Sequence, residues 1–105
     1  MNREAVQEAR AVEVELLGLA RLLARREVAQ VAVTGTIQLA ALAQALAGEL
    51  PALVGTVVSE DGVLIGGHVF SRDGRELLRD PAALIYPGDR LLLLSTVAGG
   101  NNVVV

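Results

Sequence analysis

The chain has no cysteine, no lysine and no tryptophan, and only one histidine, one tyrosine and one phenylalanine among its 105 residues. Without cysteine there is no disulfide, no thiolate metal site and no internal persulfide or thioester relay. The single histidine, His68, removes His-based zinc sites and leaves no basis for a Ser-His-Asp triad, so it reads as an ordinary strand or loop residue. Lysine is missing although there are nine basic residues, all of them arginine. A Walker-type phosphate loop, which needs a lysine after its glycines, is thereby excluded. No side-chain amine in this sequence can accept an isopeptide bond. The formal net charge is −3, with no basic cluster beyond Arg25-Arg26, which offers little to a polyanion and argues against a nucleic-acid partner.

What is present is aliphatic. Hydrophobic residues make up 52% of the sequence, and the mean hydropathy is +0.50. That is ample for one core built from Leu, Val, Ile and Ala, and the length fits one domain. Residues Met1–Arg10 mix Arg3, Glu4, Glu8 and Arg10 with few apolar side chains, unlike a signal peptide. They read as an N-terminal extension of a cytoplasmic protein. The uncharged stretch Val28–Gly48 is long enough to cross a bilayer. It carries Gln30, Gln38 and Gln44, however, and Thr34-Gly35-Thr36 divides a period-two half from a helical half. It therefore reads as two soluble elements, with no membrane partner.

Val12-Glu13-Val14-Glu15-Leu16 alternates apolar with acidic side chains, the pattern of a half-buried strand. Gly18 ends it, and Leu19–Arg26 predicts a short helical turn with Leu19, Leu22 and Leu23 inward and the arginines outward. Glu27–Thr34 predicts a second strand with Val31 and Val33 on one face. The main helix is expected over Thr36–Leu50, with Thr36 as its N-cap, Gly48 near its end and Pro51 beyond. Its stripe Leu39, Leu42, Leu46, Leu50 faces a core. From Val54 onward the sequence is β-rich and divided by turn signals at Ser59–Gly62, Arg72-Asp73-Gly74 and Tyr86–Asp89. Gly66-Gly67 opens no helix after a strand, so it marks a bend or bulge rather than a dinucleotide loop. Asp61, Asp73, Asp80 and Asp89 all fall in turns that explain them. Arg90–Thr96 is the clearest strand, expected beside Val12–Leu16 at the centre of the sheet. Together these elements predict an α+β fold, a mixed sheet packed on one main helix.

The run Pro87-Gly88-Asp89-Arg90-Leu91-Leu92-Leu93-Leu94-Ser95-Thr96-Val97-Ala98-Gly99-Gly100 resembles the C-terminal end of the ubiquitin-like (β-grasp) sulfur-carrier family. That family includes the small subunit of molybdopterin synthase and the thiazole-synthesis carrier. Val12–Leu23 and Thr36–Leu53 are similar to its first strand with its short helix and to its main helix. The similarity covers about Ala11 to Gly100, and its terminal motif is the specific part. It implies residues 1–10 as an extension, 11–98 as a ubiquitin-like domain, and 99–105 as the Gly-Gly motif with a removable tail.

The resemblance also implies the chemistry. The carboxylate of Gly100, after Gly99, would be activated by an ATP-dependent adenylating enzyme and would carry sulfur as a thiocarboxylate. Alternatively it would be joined to a target protein as a modifier. Glycines without a Cβ can thread a narrow tunnel to the reacting carbonyl. The chain itself would hold no catalytic residue, no metal and no bound cofactor, the ATP being used by the partner. Asn101-Asn102-Val103-Val104-Val105 departs from the family's pattern, because it leaves Gly100 in an amide that cannot be adenylated. It looks like a propeptide removed between Gly100 and Asn101 by a processing metalloprotease. Val103–Val105 is also strand-forming enough to dock on a sheet edge. A paralogue without carrier function, a β-grasp interaction domain, is a further reading. The remaining partner is a sulfur-accepting enzyme or a conjugation target. Counting back from the diglycine puts Leu91 and Leu93 against the helix and Leu92 and Leu94 on the open face. With Val97, Leu92 and Leu94 are the expected docking residues for the adenylating enzyme.

Overall fold

Period-two alternation becomes strand pairing in the computed structural model, which describes residues 10–96. The first strand, β1 (Arg10–Leu16), buries Val12, Val14 and Leu16 completely. Gly18 leads into helix α1 (Leu19–Ala24), and β2 (Val28–Val33) returns antiparallel to β1, with Ala29, Val31 and Val33 inward. A two-residue strand, β3 (Ile37–Gln38), precedes the main helix α2 (Leu39–Glu49) and a 3-10 turn at Pro51–Leu53. The remaining strands are β4 (His68–Arg72), β5 (Glu76–Leu78), β6 (Leu84–Ile85) and β7 (Arg90–Ser95). The main sheet runs β2-β1-β7-β4-β5, with β1 and β7 parallel at its centre, Val14 opposite Leu91 and Leu16 opposite Leu93. The expectation that these strands are neighbours is met. Leu39, Leu42 and Leu46 of α2, with Leu50 just beyond, pack on the inward face with Phe70, the one aromatic side chain in the core.

Two expectations are overturned. Thr36 is not the N-cap of α2, because the helix begins at Leu39 after Ile37 and Gln38 have paired with Ile85 and Leu84 of β6. The free amides at the helix start need acceptors, and tertiary backbone supplies them. Leu39 N–H donates to the Ala83 carbonyl at 2.8 Å and Ala40 N–H to that of Pro81 at 3.0 Å, so no side-chain cap is needed. In α1, Leu19 and Leu22 face solvent at 44% and 75% exposure, while Ala20 is buried and Leu23 and Ala24 are partly buried against the core. The stripe at 20, 23 and 24 has the same i, i+3, i+4 spacing as a helical face, and the small Ala20 lets the helix approach the sheet closely.

The Tyr86–Asp89 turn that launches β7 is held by its acid. Asp89 Oδ2 accepts the Tyr86 N–H at 2.9 Å and lies 3.6 Å from Arg72 Nε. Arg72 also donates through Nη2 to the Leu84 carbonyl, linking β4 to β6. Both side chains are about one-fifth exposed, so the pair is partly shielded from solvent. Asp89→Ala is expected to cost about 1.5–3 kcal/mol, the range for a hydrogen bond to a charged group. Urea denaturation measures it, and an unchanged midpoint would show that the turn holds without its carboxylate.

Candidate functional site

The candidate site is the last strand and the chain beyond it. Alternation along β7 places Leu91 and Leu93 in the core at 1% and 0% exposure, and Leu92 and Leu94 on the other face of the sheet. The faces are as expected, but the exposure is not: Leu92 and Leu94 are half-buried rather than open to water. Leu94 lies opposite Val69 of β4, and Leu92 opposite Ser71, which in turn faces Leu77 of β5. The outcome is a largely apolar strip across three strands, interrupted by the buried Ser71, closed at Val69 (3% exposed) and open at Leu77 (50%). The turn between β4 and β5 also reaches Leu92: a Cβ on Gly74 would stand 3.5 Å from its Cδ1.

Charge frames the strip. On its β1 side Glu15 pairs with Leu92 in the register and Glu13 with Arg90, and the Glu13 carboxylate meets Arg90 Nε at 3.2 Å. A shallow cleft of about 500 Å³ opens beside Leu92, walled by Glu15, Asp73, Arg75 and Arg90. Leucines half-covered and ringed by charge of both signs provide an apolar anchor and a polar rim, the usual anatomy of a protein-docking surface. Sequence reasoning found Leu92 and Leu94 but missed Val69, Leu77, Glu13 and Glu15 as members of the same face. The signal for Val69 was present, since it is out of phase with the core residue Phe70 beside it.

The end of β7 is fixed by a bend. Gly66 and Gly67 both have left-handed backbone (φ 65° and 77°), a conformation that favours glycine. The Gly67 carbonyl accepts both the backbone N–H of Thr96, at 2.8 Å, and its hydroxyl, at 2.9 Å. The double anchor holds the chain at Thr96, four residues before Gly100. Those four residues span at most about 14 Å when fully extended. Residues 1–9 and 97–105, with Val97, Gly99, Gly100 and Asn101 among them, lie outside the described residues. Among the described residues, no helix is long and apolar enough to cross a membrane.

His68 sits in β4 opposite Ser95, buried, with Nδ1 3.0 Å from the Ile65 carbonyl. The carbonyl can only accept, so Nδ1 is the donor of this contact.

No protein-family model matches the chain, and no curated protein matches it in sequence. Solved structures do match. A crystal structure of SAMP1 from Haloferax volcanii superposes with a TM-score of 0.72 at 28% identity, over 86% of this chain and 99% of that one. A crystal structure of small archaeal modifier protein 1 from the same organism gives 0.70 at 26% identity, over 84% and 99%. A Haloferax volcanii protein solved in solution gives 0.68 at 21% identity, over 95% and 99%, a likeness of fold alone. The chain has the ubiquitin-like β-grasp fold, and the family resemblance read from its sequence extends to three dimensions.

Proposed function

We propose that the chain is a ubiquitin-like carrier protein, activated at the carboxylate of Gly100 by an ATP-dependent adenylating enzyme once residues 101–105 are removed. A metalloprotease cutting between Gly100 and Asn101 would expose that carboxylate. It then attacks the α-phosphorus of ATP, giving an acyl-adenylate and releasing pyrophosphate. Sulfide-level sulfur displaces AMP and leaves a thiocarboxylate for a sulfur-accepting enzyme. The domain contributes recognition through the Leu92 and Leu94 face, and reach through the residues after Thr96. Bond making belongs to its partners, in the cytoplasm.

The observation that carries this reading is the anchoring of the strand end, with Thr96 tied twice to Gly67. A last strand that is central to its sheet and pinned at its exit gives the C-terminal segment a fixed point of departure. That segment begins Val97-Ala98-Gly99-Gly100. A second reading, conjugation to target proteins, is favoured by the likeness to a protein named as an archaeal modifier. Both readings share the adenylation step and differ in what displaces AMP.

The test compares the chain ending at Gly100 with the 105-residue chain, each given the adenylating enzyme, ATP and labelled pyrophosphate. Isotope exchange into ATP is expected only with the trimmed chain. With a sulfur donor, intact-mass measurement should then show a gain of one sulfur in place of one oxygen. A covalent adduct to other proteins would select the modifier reading instead. No exchange with the trimmed chain would leave a β-grasp interaction domain.

A further inference from the structure

The two edges of the main sheet differ. β5 is three residues long and flanked by Arg75 and Arg79, the short charged edge that discourages pairing with other chains. β2 is six residues long, Val28-Ala29-Gln30-Val31-Ala32-Val33, and contains no charge, proline or glycine. It pairs with β1 residue for residue, without a bulge. The register determines which backbone groups are used. Leu16 N–H donates to the carbonyl of Glu27, directly opposite it, and such bonded pairs fall at every second residue of an antiparallel ladder. Glu27, Ala29, Val31 and Val33 therefore turn their N–H and C=O groups toward β1. Val28, Gln30 and Ala32 turn theirs away from it, to the edge of the sheet. Among the described residues no backbone group bonds to these three from that side, and their side chains are exposed.

We propose that β2 pairs antiparallel with β2 of a second copy, about a two-fold axis at Gln30, joining two sheets into one. This register sets Gln30 opposite Gln30, and Val28 opposite Ala32 of the second copy. It is the register that pairs all three outward residues on both chains, each exchanging N–H and C=O with its counterpart. A two-fold interface must be self-complementary, and this edge meets that demand in three ways. The outward residues are evenly spaced about Gln30. The Gln30 carboxamide holds both a donor and an acceptor for its counterpart across the axis. Charge is kept apart, because Arg26 and Glu27 fall opposite Thr34 and Val33 of the second copy. One strand pair buries less than the roughly 1,200 Å² of a lasting interface, so the dimer is a transient one. The inference is independent of the carrier function. Leu92 and Leu94 lie on β7, two strands from this edge, so both copies keep that face free.

The test follows sedimentation and backbone amide exchange of the 105-residue chain from about 20 μM to about 1 mM, the range of a weak complex. The sedimentation coefficient is expected to rise toward that of a dimer. Exchange at Gln30, Val28 and Ala32 should slow severalfold across the series, while Ala29, Val31 and Val33 are protected throughout. Gln30→Lys sets like charges opposite each other and should weaken association about tenfold or more. Ala32→Pro removes an outward N–H from each chain and nothing from the β1 ladder, and should act in the same direction. Gln30→Thr should preserve the dimer. Melting curves at low concentration check that each variant folds, and the exchange series on the parent chain stands by itself if one does not. A chain that stays monomeric throughout, edge protection that does not vary with concentration, or a dimer indifferent to both substitutions would overturn the proposal.

Discussion

Replacing Gly62 with alanine is expected to destabilise the domain by about 3 kcal/mol or more. Gly62 closes the Ser59–Gly62 turn, where its N–H donates to the Ser59 carbonyl at 3.0 Å, and its backbone is left-handed at φ 85°. A side chain in that region costs about 1–2 kcal/mol on its own. Contact adds to this, because a Cβ would stand 2.6 Å from the Ala40 carbonyl oxygen and 2.9 Å from Gln44 N, both backbone atoms of α2. No side-chain rotation relieves such a clash. Either the 59–64 loop lifts away or the helix shifts, and both open the buried packing around Leu39, Leu42 and Ala43. For a domain of this size each kcal/mol lowers the melting temperature by roughly 4–8 °C, so a loss of about 12–24 °C is expected. Gly48→Ala is the matched control. Gly48 is exposed in the last turn of α2 with open space around its Cβ direction, so alanine there should add about 0.5–1 kcal/mol. Calorimetry on the two variants should move in opposite directions. A Gly62→Ala protein as stable as the parent would mean that the loop does not rest on α2.

The sequence reveals the parts of this fold that are long and periodic. Val12, Val14 and Leu16 alternate with acids, and Leu39, Leu42 and Leu46 recur at helical spacing, so both faces are determined by side chains alone. The β3–β6 pair is invisible at that level, because two residues per strand carry no period. Its consequence, a helix that starts at Leu39 on backbone acceptors from the 81–83 segment, arises from tertiary contact and leaves Thr36 without a capping role. In α1 the leucines outweighed Ala20 in the hydrophobic pattern, whereas close approach to the sheet favoured the smaller side chain. The Leu92 and Leu94 face was half legible for a similar reason. Alternation assigned Leu92 and Leu94 to the right side of β7, but their cover comes from β4 and the Gly74 turn, neither adjacent to them in sequence.

That cover changes what Leu92→Ser with Leu94→Ser is expected to do. Fully exposed leucines could be removed with no loss of stability. Full burial of a leucine is worth about 1.5–3 kcal/mol, so half-buried ones contribute about half of that each. The double variant should therefore lose about 1.5–3 kcal/mol, a measurable fall that leaves a domain of ordinary stability folded. Binding to the adenylating enzyme should fall further, by about 100-fold or more. Docking completes the burial of both side chains at the centre of a charge-rimmed patch, where truncation of an anchor costs about 2 kcal/mol or more. Leu77→Ser, at the exposed edge of the same strip, should weaken binding only slightly, since rim contacts carry little of the energy. Titration calorimetry well below the melting temperature separates the two effects, and Leu92→Met with Leu94→Met should restore most of the affinity by refilling the volume. If the serine variant binds as tightly as the parent while its stability falls by the full amount, the leucines only pack the sheet. The adenylating enzyme must then dock elsewhere.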